Sequence, residues 1–144
     1  KGLVPALREL CAEWSRATGI AADVRAQGEQ PAPLHIEQAF FRVAQEALAN
    51  VAKHSGASSV DLRVAWKHDT LDMTIQDNGH GFDLGERSGS GMGLGSMSER
   101  VEALGGMLLV SSGATGTCVE ARVPLGEPAE IAADAVSAKK GADR

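Results

Sequence analysis

The sequence is poor in aromatic residues and in positive charge, and it has no long apolar run. Aromatic residues make up 3% of its 144 residues, so aliphatic side chains and alanine, within a hydrophobic share of 43%, have to fill the core. The formal net charge is −5, with no basic stripe, which gives nucleic-acid or anionic-membrane binding little electrostatic support. No apolar run approaches the roughly 20 residues that span a bilayer, and no secretory signal pattern occurs.

Cysteine is scarce as well, and two common nucleotide-binding signatures are missing. Cys11 and Cys118 lack the CxxC spacing of a metal cluster, and we expect both to be small, buried, apolar residues. No GxxxxGK(S/T) loop occurs, and no glycine-rich loop lies in a βαβ unit, which excludes a P-loop and a dinucleotide-binding fingerprint. The chain begins at Lys1, without an initiator methionine, so we expect a piece of a longer protein.

Hydrophobic periodicity predicts helices and strands that do not alternate strictly. The spacing is helical over residues 3–17, 34–54 and 94–104, and it alternates as in strands over 20–26, 59–66, 70–76, 107–111 and 117–123. This order predicts an α+β fold, a two-layer α/β sandwich in which a mixed, mostly antiparallel sheet carries the helices on one face. We assign residues 1–125 to this domain and expect 126–144 to be a disordered tail.

The long predicted helix carries a polar strip that suits a metal ion and phosphates. At about 100° per residue, Glu46, Asn50 and Lys53 fall together beside the apolar arc. An asparagine oxygen suits Mg²⁺, which keeps several waters and takes few protein ligands. A carboxylate can accept a proton from an attacking group, and a lysine can neutralise phosphate charge. By spacing alone, a solvated helix face explains the strip equally well.

Two glycine-rich loops suit a nucleotide. Asp77 ends an apolar strand, so its carboxylate can point into a cleft and accept a hydrogen bond from the exocyclic amine of adenine. Gly79 and Gly81 follow it and permit positive φ and close backbone approach to a ligand. The second loop, residues 91–95, precedes a helix and can direct backbone N–H groups toward phosphate oxygens. Taken singly, a turn and a flexible linker explain these loops as well.

Taken in order, these segments resemble the ATP-binding domain of the GHKL superfamily, which includes sensor histidine kinases, gyrase-type topoisomerases, MutL-type repair ATPases and the ninety-kilodalton chaperones. Residues 45–54 (QEALANVAKH) are similar to its N box, 77–82 (DNGHGF) to its G1 box and 91–95 (GMGLG) to its G2 box. The Gly116-Thr117 pair is similar to its late Gly-Thr. Residues 50–55 (NVAKHS) and 95–101 (GSMSERV) resemble the nitrate-sensor and desaturase-sensor kinases, which partner LuxR-type response regulators. Ser98 differs, because those kinases often have arginine at this position.

The resemblance implies ATP and Mg²⁺ as cofactors and a role for individual residues. It makes Asn50 the magnesium ligand, Glu46 the catalytic residue that activates or orients the attacking group, and Asp77 the carboxylate that reads adenine. The remaining implied contacts are Lys53 and His54 near the phosphates, Gly79 and Gly81 around the base, Gly91, Gly93, Leu94 and Gly95 in the phosphate loop, and the Thr117 hydroxyl on the adenine side.

The resemblance further implies transfer of the γ-phosphoryl group of ATP to a histidine in a dimerisation domain outside this chain. None of the four histidines, His35, His54, His68 and His80, lies in an acidic-flanked His-Asp motif. The implied partners are that dimerisation domain and a LuxR-type response regulator. The resemblance also implies that this fragment is monomeric and its parent protein homodimeric. The domain is expected in the cytoplasm, and the parent protein is expected to be a candidate for membrane anchoring. The alternatives are another GHKL ATPase, an anti-sigma-type serine kinase, or a regulatory module that binds nucleotide without catalysis.

Overall fold

The computed structural model describes residues 2–81 and 93–125. Their elements are α1 (Leu3–Thr18), β1 (Ala21–Gln27), α2 (Leu34–Asn50), a π-helical turn (Val51–Ser55), β2 (Ser59–Trp66), β3 (Thr70–Asp77), α3 (Leu94–Glu102), β4 (Met107–Gly113) and β5 (Gly116–Pro124). Gly91, with the rest of residues 82–92, and the predicted tail at 126–144 lie outside the described residues.

The five strands form one sheet in the order β1-β2-β3-β5-β4. β1 and β2 run parallel, because α2 connects them, while every other neighbouring pair is antiparallel. The sheet is therefore mixed and mostly antiparallel, and the predicted α+β class is confirmed.

The core lies between one face of the sheet and the helices. On β3 the side chains of Leu71, Met73 and Ile75 are buried, and on β5 Val119 and Ala121 lie beside them. This alternation follows from the two-residue period of a strand, which turns every second side chain to the same face. The helices complete the layer with the buried side chains of Leu7, Cys11, Phe40, Val43, Leu48, Met97 and Val101. Aliphatic residues thus fill most of the core, as the composition predicts.

The long helix differs from its prediction at its carboxyl end. The spacing predicts an α-helix to residue 54, but α2 ends at Asn50, and Val51–Ser55 form a π-helical turn closed by Gly56 at φ 66°. Within this turn the Ser55 hydroxyl donates to the Val51 carbonyl, a local side-chain bond that sequence periodicity does not reveal. The backbone after Asn50 therefore leaves the 100° step on which the polar strip was based.

The two cysteines differ in burial. Cys11 belongs to the buried side of α1, and burial raises the pKa of its thiol to about 11. Cys118 is only half-buried, because it lies on the outer face of β5, so the expectation of two buried cysteines is wrong for this residue. Among the described helices, none combines the length and apolar character that crossing a bilayer requires.

Candidate functional site

Asp77 is a buried carboxylate at the end of β3. Its side chain is on the inner face of the sheet, and the residue is 3% exposed. The Oδ1 atom accepts hydrogen bonds from the backbone N–H of Gly79 at 2.8 Å and of Thr117 at 3.2 Å. A short polar side chain that captures the N–H two residues ahead is the usual asparagine or aspartate turn. Within the described residues Oδ2 has no hydrogen-bond partner, so it is the oxygen left for a ligand donor.

Residues 77–81 fit between two backbone segments that leave no room for side chains. A Cβ on Gly79 would overlap the carbonyl oxygen of Ser55, and a Cβ on Gly81 would overlap that of Gly113. Gly81 also has φ of 76°, a conformation that L side chains rarely adopt. The two predicted glycines therefore hold the Asp77 loop between the π turn on one side and the β4–β5 hairpin on the other.

Thr117 lies next to Asp77 on the neighbouring strand and is 5% exposed. Its hydroxyl shares a 2.8 Å hydrogen bond with the hydroxyl of Ser112, which fixes the orientation of the side chain. Gly116, at φ 129°, brings β5 so close to β3 that a Cβ there would overlap the Asp77 carbonyl. The structure thus brings the predicted Gly116-Thr117 pair directly against the predicted carboxylate.

Asn50, Asp77, Leu94 and Thr117 line one cavity, although they belong to four different elements. The remaining lining residues are apolar: Ala47, Val51, Ile75 and Val119. The cavity holds only about 10 Å³, room for about one water molecule. A purine base would therefore require the cavity to widen.

Asn50 is the last residue of α2 and is 8% exposed, so its polar side chain is held inside the protein. The described residues contain no cluster of three or more His, Cys, Asp or Glu side chains able to form a complete metal cage. A site with one neutral oxygen donor fits Mg²⁺, which takes its other ligands from water and phosphates.

Glu46 is one turn earlier on α2 and lies against the amino end of α3. A Cβ on Gly93, the residue before this helix, would overlap the Glu46 Oε1 atom, and Gly93 has φ of 70°. A carboxylate at this position is favoured by the positive end of the helix dipole. By contrast, a Cβ on Gly95 would meet nothing within 4 Å, so packing does not require glycine there.

Lys53 and His54 do not line the cavity. Both lie in the π turn, where the α-helical step that groups Lys53 with Glu46 and Asn50 no longer applies. Lys53 is exposed and His54 is half-buried. The role of Lys53 near the phosphates stays a prediction, for a side chain that is exposed and does not line the cavity.

Sequence reasoning does not single out three residues that hold the site together: Ser55, Asn78 and Ser112. Each supplies a side-chain hydrogen bond to the Asp77 loop or to a segment that touches it. The available signal was their position beside Gly56, Gly79 and Gly113, because serine and asparagine next to glycine commonly bond to nearby backbone in turns.

A larger hollow lies elsewhere on the described chain. It is an open groove of about 860 Å³ between the start of α1, the first half of α2 and the end of α3, with Leu34, Phe41 and Leu104 among its lining residues. We base the site on the smaller cavity, because it gathers buried polar groups from four elements, whereas the groove is mainly apolar and open.

Comparison with known protein families gives a match over residues 35–127 to the model for histidine kinase-, DNA gyrase B- and HSP90-like ATPases. The sensor histidine kinase MctS of Rhizobium johnstonii is 38% identical over 85% of this chain. The histidine-protein kinase/phosphatase DegS of Brevibacillus brevis is 36% identical over 86% of it. The chain spans only 28% and 33% of those two proteins.

Solved structures show the same fold at low sequence identity. The histidine kinase domain of a blue-light activated kinase from Erythrobacter litoralis superposes with a TM-score of 0.77 and 24% identity, over 92% of this chain and 65% of that one. The ATP binding domain of PrrB from Mycobacterium tuberculosis gives a TM-score of 0.69 and 20% identity, over 88% of this chain and 96% of its own.

Proposed function

Because the chain belongs to the family of histidine kinase-, DNA gyrase B- and HSP90-like ATPases, we propose that it is the ATP-binding catalytic domain of a sensor histidine kinase. It is homologous to sensor histidine kinases and has the fold of their catalytic domains. The relatives are about three times longer, so kinase activity belongs to a parent protein that supplies the phosphorylated histidine. The observation that carries the proposal is the cavity shared by Asn50, Asp77 and Thr117.

Asp77 reads the base in this proposal. With Oδ1 held by two backbone N–H groups, Oδ2 accepts a hydrogen bond from the exocyclic amine of adenine. The apolar walls, Ile75 and Val119 among them, enclose the flat faces of the purine. The Thr117 hydroxyl, oriented by Ser112, adds a second polar contact on the same side.

Asn50 and Glu46 act at the phosphate end. The Asn50 side chain would hold Mg²⁺, which would supply neutralisation of the phosphate charge. Glu46 orients or deprotonates the incoming histidine nucleophile, and Gly93 with the amino end of α3 offers N–H groups to the phosphates. Most of the rate gain in such phosphoryl transfer comes from positioning and charge neutralisation.

The finer assignments also belong to this proposal. Residues 50–55 and 95–101 favour a kinase of the subgroup that partners LuxR-type response regulators, although the relatives MctS and DegS do not define one subgroup. We further infer a monomeric domain within a homodimeric parent and a cytoplasmic site of action, where ATP is available. A serine kinase or a simple ATPase would use the same cavity with a different acceptor.

Calorimetric titration with ATP tests the site. Asp77→Asn removes a charged acceptor, for which a loss of about 1.5–3 kcal/mol corresponds to roughly 10–150-fold weaker binding. Asn50→Ala should weaken binding about tenfold with Mg²⁺ and leave binding in EDTA unchanged. Unchanged Mg-ATP affinity in both variants would defeat the site assignment.

Phosphorylation of a separately supplied dimerisation domain tests the reaction class. With labelled ATP, the wild-type domain should label that partner on histidine, while Glu46→Gln should bind ATP normally and lose most of the transfer. Phosphate release without any labelled histidine would favour the ATPase alternative, and acid-stable label on serine would favour the serine kinase.

A further inference from the structure

Ser55 connects two parts of the molecule through its side chain. The Ser55 residue is fully buried at the end of the π turn. Its hydroxyl donates to the Val51 carbonyl at 3.1 Å and accepts from the Ala57 N–H at 3.1 Å. Because buried polar groups need partners, this single hydroxyl stabilises the turn that continues directly from Asn50.

The backbone of Ser55 contacts the loop that follows Asp77. Its carbonyl accepts a hydrogen bond from the His80 N–H at 2.9 Å. Gly79 packs so tightly on it that an added Cβ would be 2.9 Å from the Ser55 Cβ and would overlap the Ser55 carbonyl oxygen. The helix that carries Asn50 and the loop that carries Asp77 are therefore both fixed to this one residue.

Asn78 makes a second connection between the same two segments. Its Oδ1 accepts from the N–H groups of Ser58 at 2.9 Å and Ser59 at 3.0 Å, and its Nδ2 donates to the Ser58 hydroxyl at 3.0 Å. These three bonds give the side-chain amide of Asn78, the residue after Asp77, partners within the protein. Segments 55–59 and 77–80 are thus joined at two points, which we call the 55–78 joint.

We propose that Ser55, supported by Asn78, is a positioning residue that fixes the Asn50 side chain relative to the Asp77 carboxylate. The inference rests on the proposed function, because this separation matters only when one ligand spans both residues, with its base at Asp77 and its magnesium-bound phosphates at Asn50. Loosening the joint leaves both subsites chemically intact but no longer matched to a single rigid molecule. Preorganised sites lose affinity in this way without losing a contact.

Calorimetry on Ser55→Ala measures this matching directly. The quantity is the ratio of the ATP dissociation constant in EDTA to that in excess Mg²⁺, with adenosine as a ligand for the base subsite alone. We expect the ratio to fall by about fivefold or more, while adenosine affinity stays within about twofold of wild type. A residue with only a structural role would lower all three affinities together.

Two sets of controls distinguish a change in the relative position of Asn50 and Asp77 from a general loss of folding stability. Val24→Ala removes buried side chain from β1, away from the cavity, and should lower the melting temperature while keeping the ratio at its wild-type value. Asn78→Ala should lower the ratio as Ser55→Ala does, and Asn78→Asp should restore it, because a carboxylate still accepts from Ser58 and Ser59. The Asn78 pair decides the matter if Ser55→Ala fails to fold, since Asn78 is exposed.

A ratio that stays at the wild-type value in Ser55→Ala or, if that variant fails to fold, in Asn78→Ala overturns the proposal. This outcome differs from failure of the proposed function, in which the wild-type domain itself binds no ATP, or binds it without any gain from Mg²⁺.

Discussion

At one end of the candidate site, Asp77 is held by two backbone N–H groups and surrounded by glycines with no room for a Cβ. At the other end, Lys53 stands in solvent and Glu46 rests against the first residue before α3. The base end is therefore built into the sheet, and the phosphate end is built from side chains at helix ends. For the nucleotide of the proposed function, this difference means that the base subsite at Asp77 is fixed by backbone packing, whereas the exposed Lys53 side chain can adjust to the phosphates.

Gly79→Ala should produce the largest loss of stability and of ATP affinity, because it disturbs the tightly packed loop after Asp77. The new Cβ would overlap the Ser55 carbonyl, and overpacking of this kind costs about 1–3 kcal/mol, or more where backbone must move. We expect a lower melting temperature and an ATP affinity reduced by at least about tenfold, measured by calorimetry. Gly95→Ala is the matched control for stability: its melting temperature should be unchanged or slightly higher, because nothing lies within 4 Å of its Cβ and α3 gains helix propensity.

Thr117→Val should have an intermediate effect at the same end. The substitution keeps the branched shape but removes the hydroxyl that bonds Ser112, a change of about 1 kcal/mol. ATP should bind about fivefold more weakly, as measured by displacement of a fluorescent nucleotide. Thr74→Val, on the outer face of β3, is the control, and equal weakening in both variants would mean that the Thr117 hydroxyl has no part in binding.

Lys53→Ala should have a smaller effect that depends on salt. An exposed cation contributes about 0.2–1 kcal/mol, so we expect affinity for ATP to fall by about 1.4-fold to fivefold at low ionic strength. The loss should disappear near about 0.5 M salt, where screening is strong. Arg63→Ala removes the same charge from the outer face of β2 and should change affinity little. A loss for Lys53→Ala that persists in high salt would mean a direct, desolvated contact.

The smallest expected effect is a change in the alkylation rate of Cys118 when the nearby Asp77 carboxylate is replaced. Burial raises the pKa of the Cys118 thiol, and the nearby Glu120 and Asp77 carboxylates raise it further. Because the thiolate is the reactive form, labelling at pH 8 should be slow and should accelerate with rising pH. Asp77→Asn removes one of these charges, so the labelling rate should rise by about twofold. Cys11, with its thiol pKa near 11, is the internal reference and should react far more slowly in both proteins.

The fold was largely predictable because alternation in the strands and spacing in the helices match the burial of these residues. Strand β2 is predicted over 59–66, and the structure gives the same bounds. The packing around Asp77 was also accessible to sequence reasoning, since Asp77, Gly79 and Gly81 lie within the short segment 77–81. The backbone after Asn50 was not accessible, because the π-helical turn over Val51–Ser55 departs from the α-helical step on which the position of Lys53 was predicted. Contacts such as Ser112 with Thr117 depend on a hairpin register that spacing alone does not fix.

The two hydrogen bonds to Asp77 Oδ1 determine how the side-chain amide would be oriented in the variant Asp77→Asn. In an asparagine, the oxygen would stay on the N–H groups of Gly79 and Thr117, and the amino group would take the position of Oδ2. The pocket would then offer a donor where the natural residue offers an acceptor. A purine with a carbonyl in place of the exocyclic amine, as in inosine triphosphate, would match that donor, so one atom exchanged in the protein would select for one atom exchanged in the nucleotide.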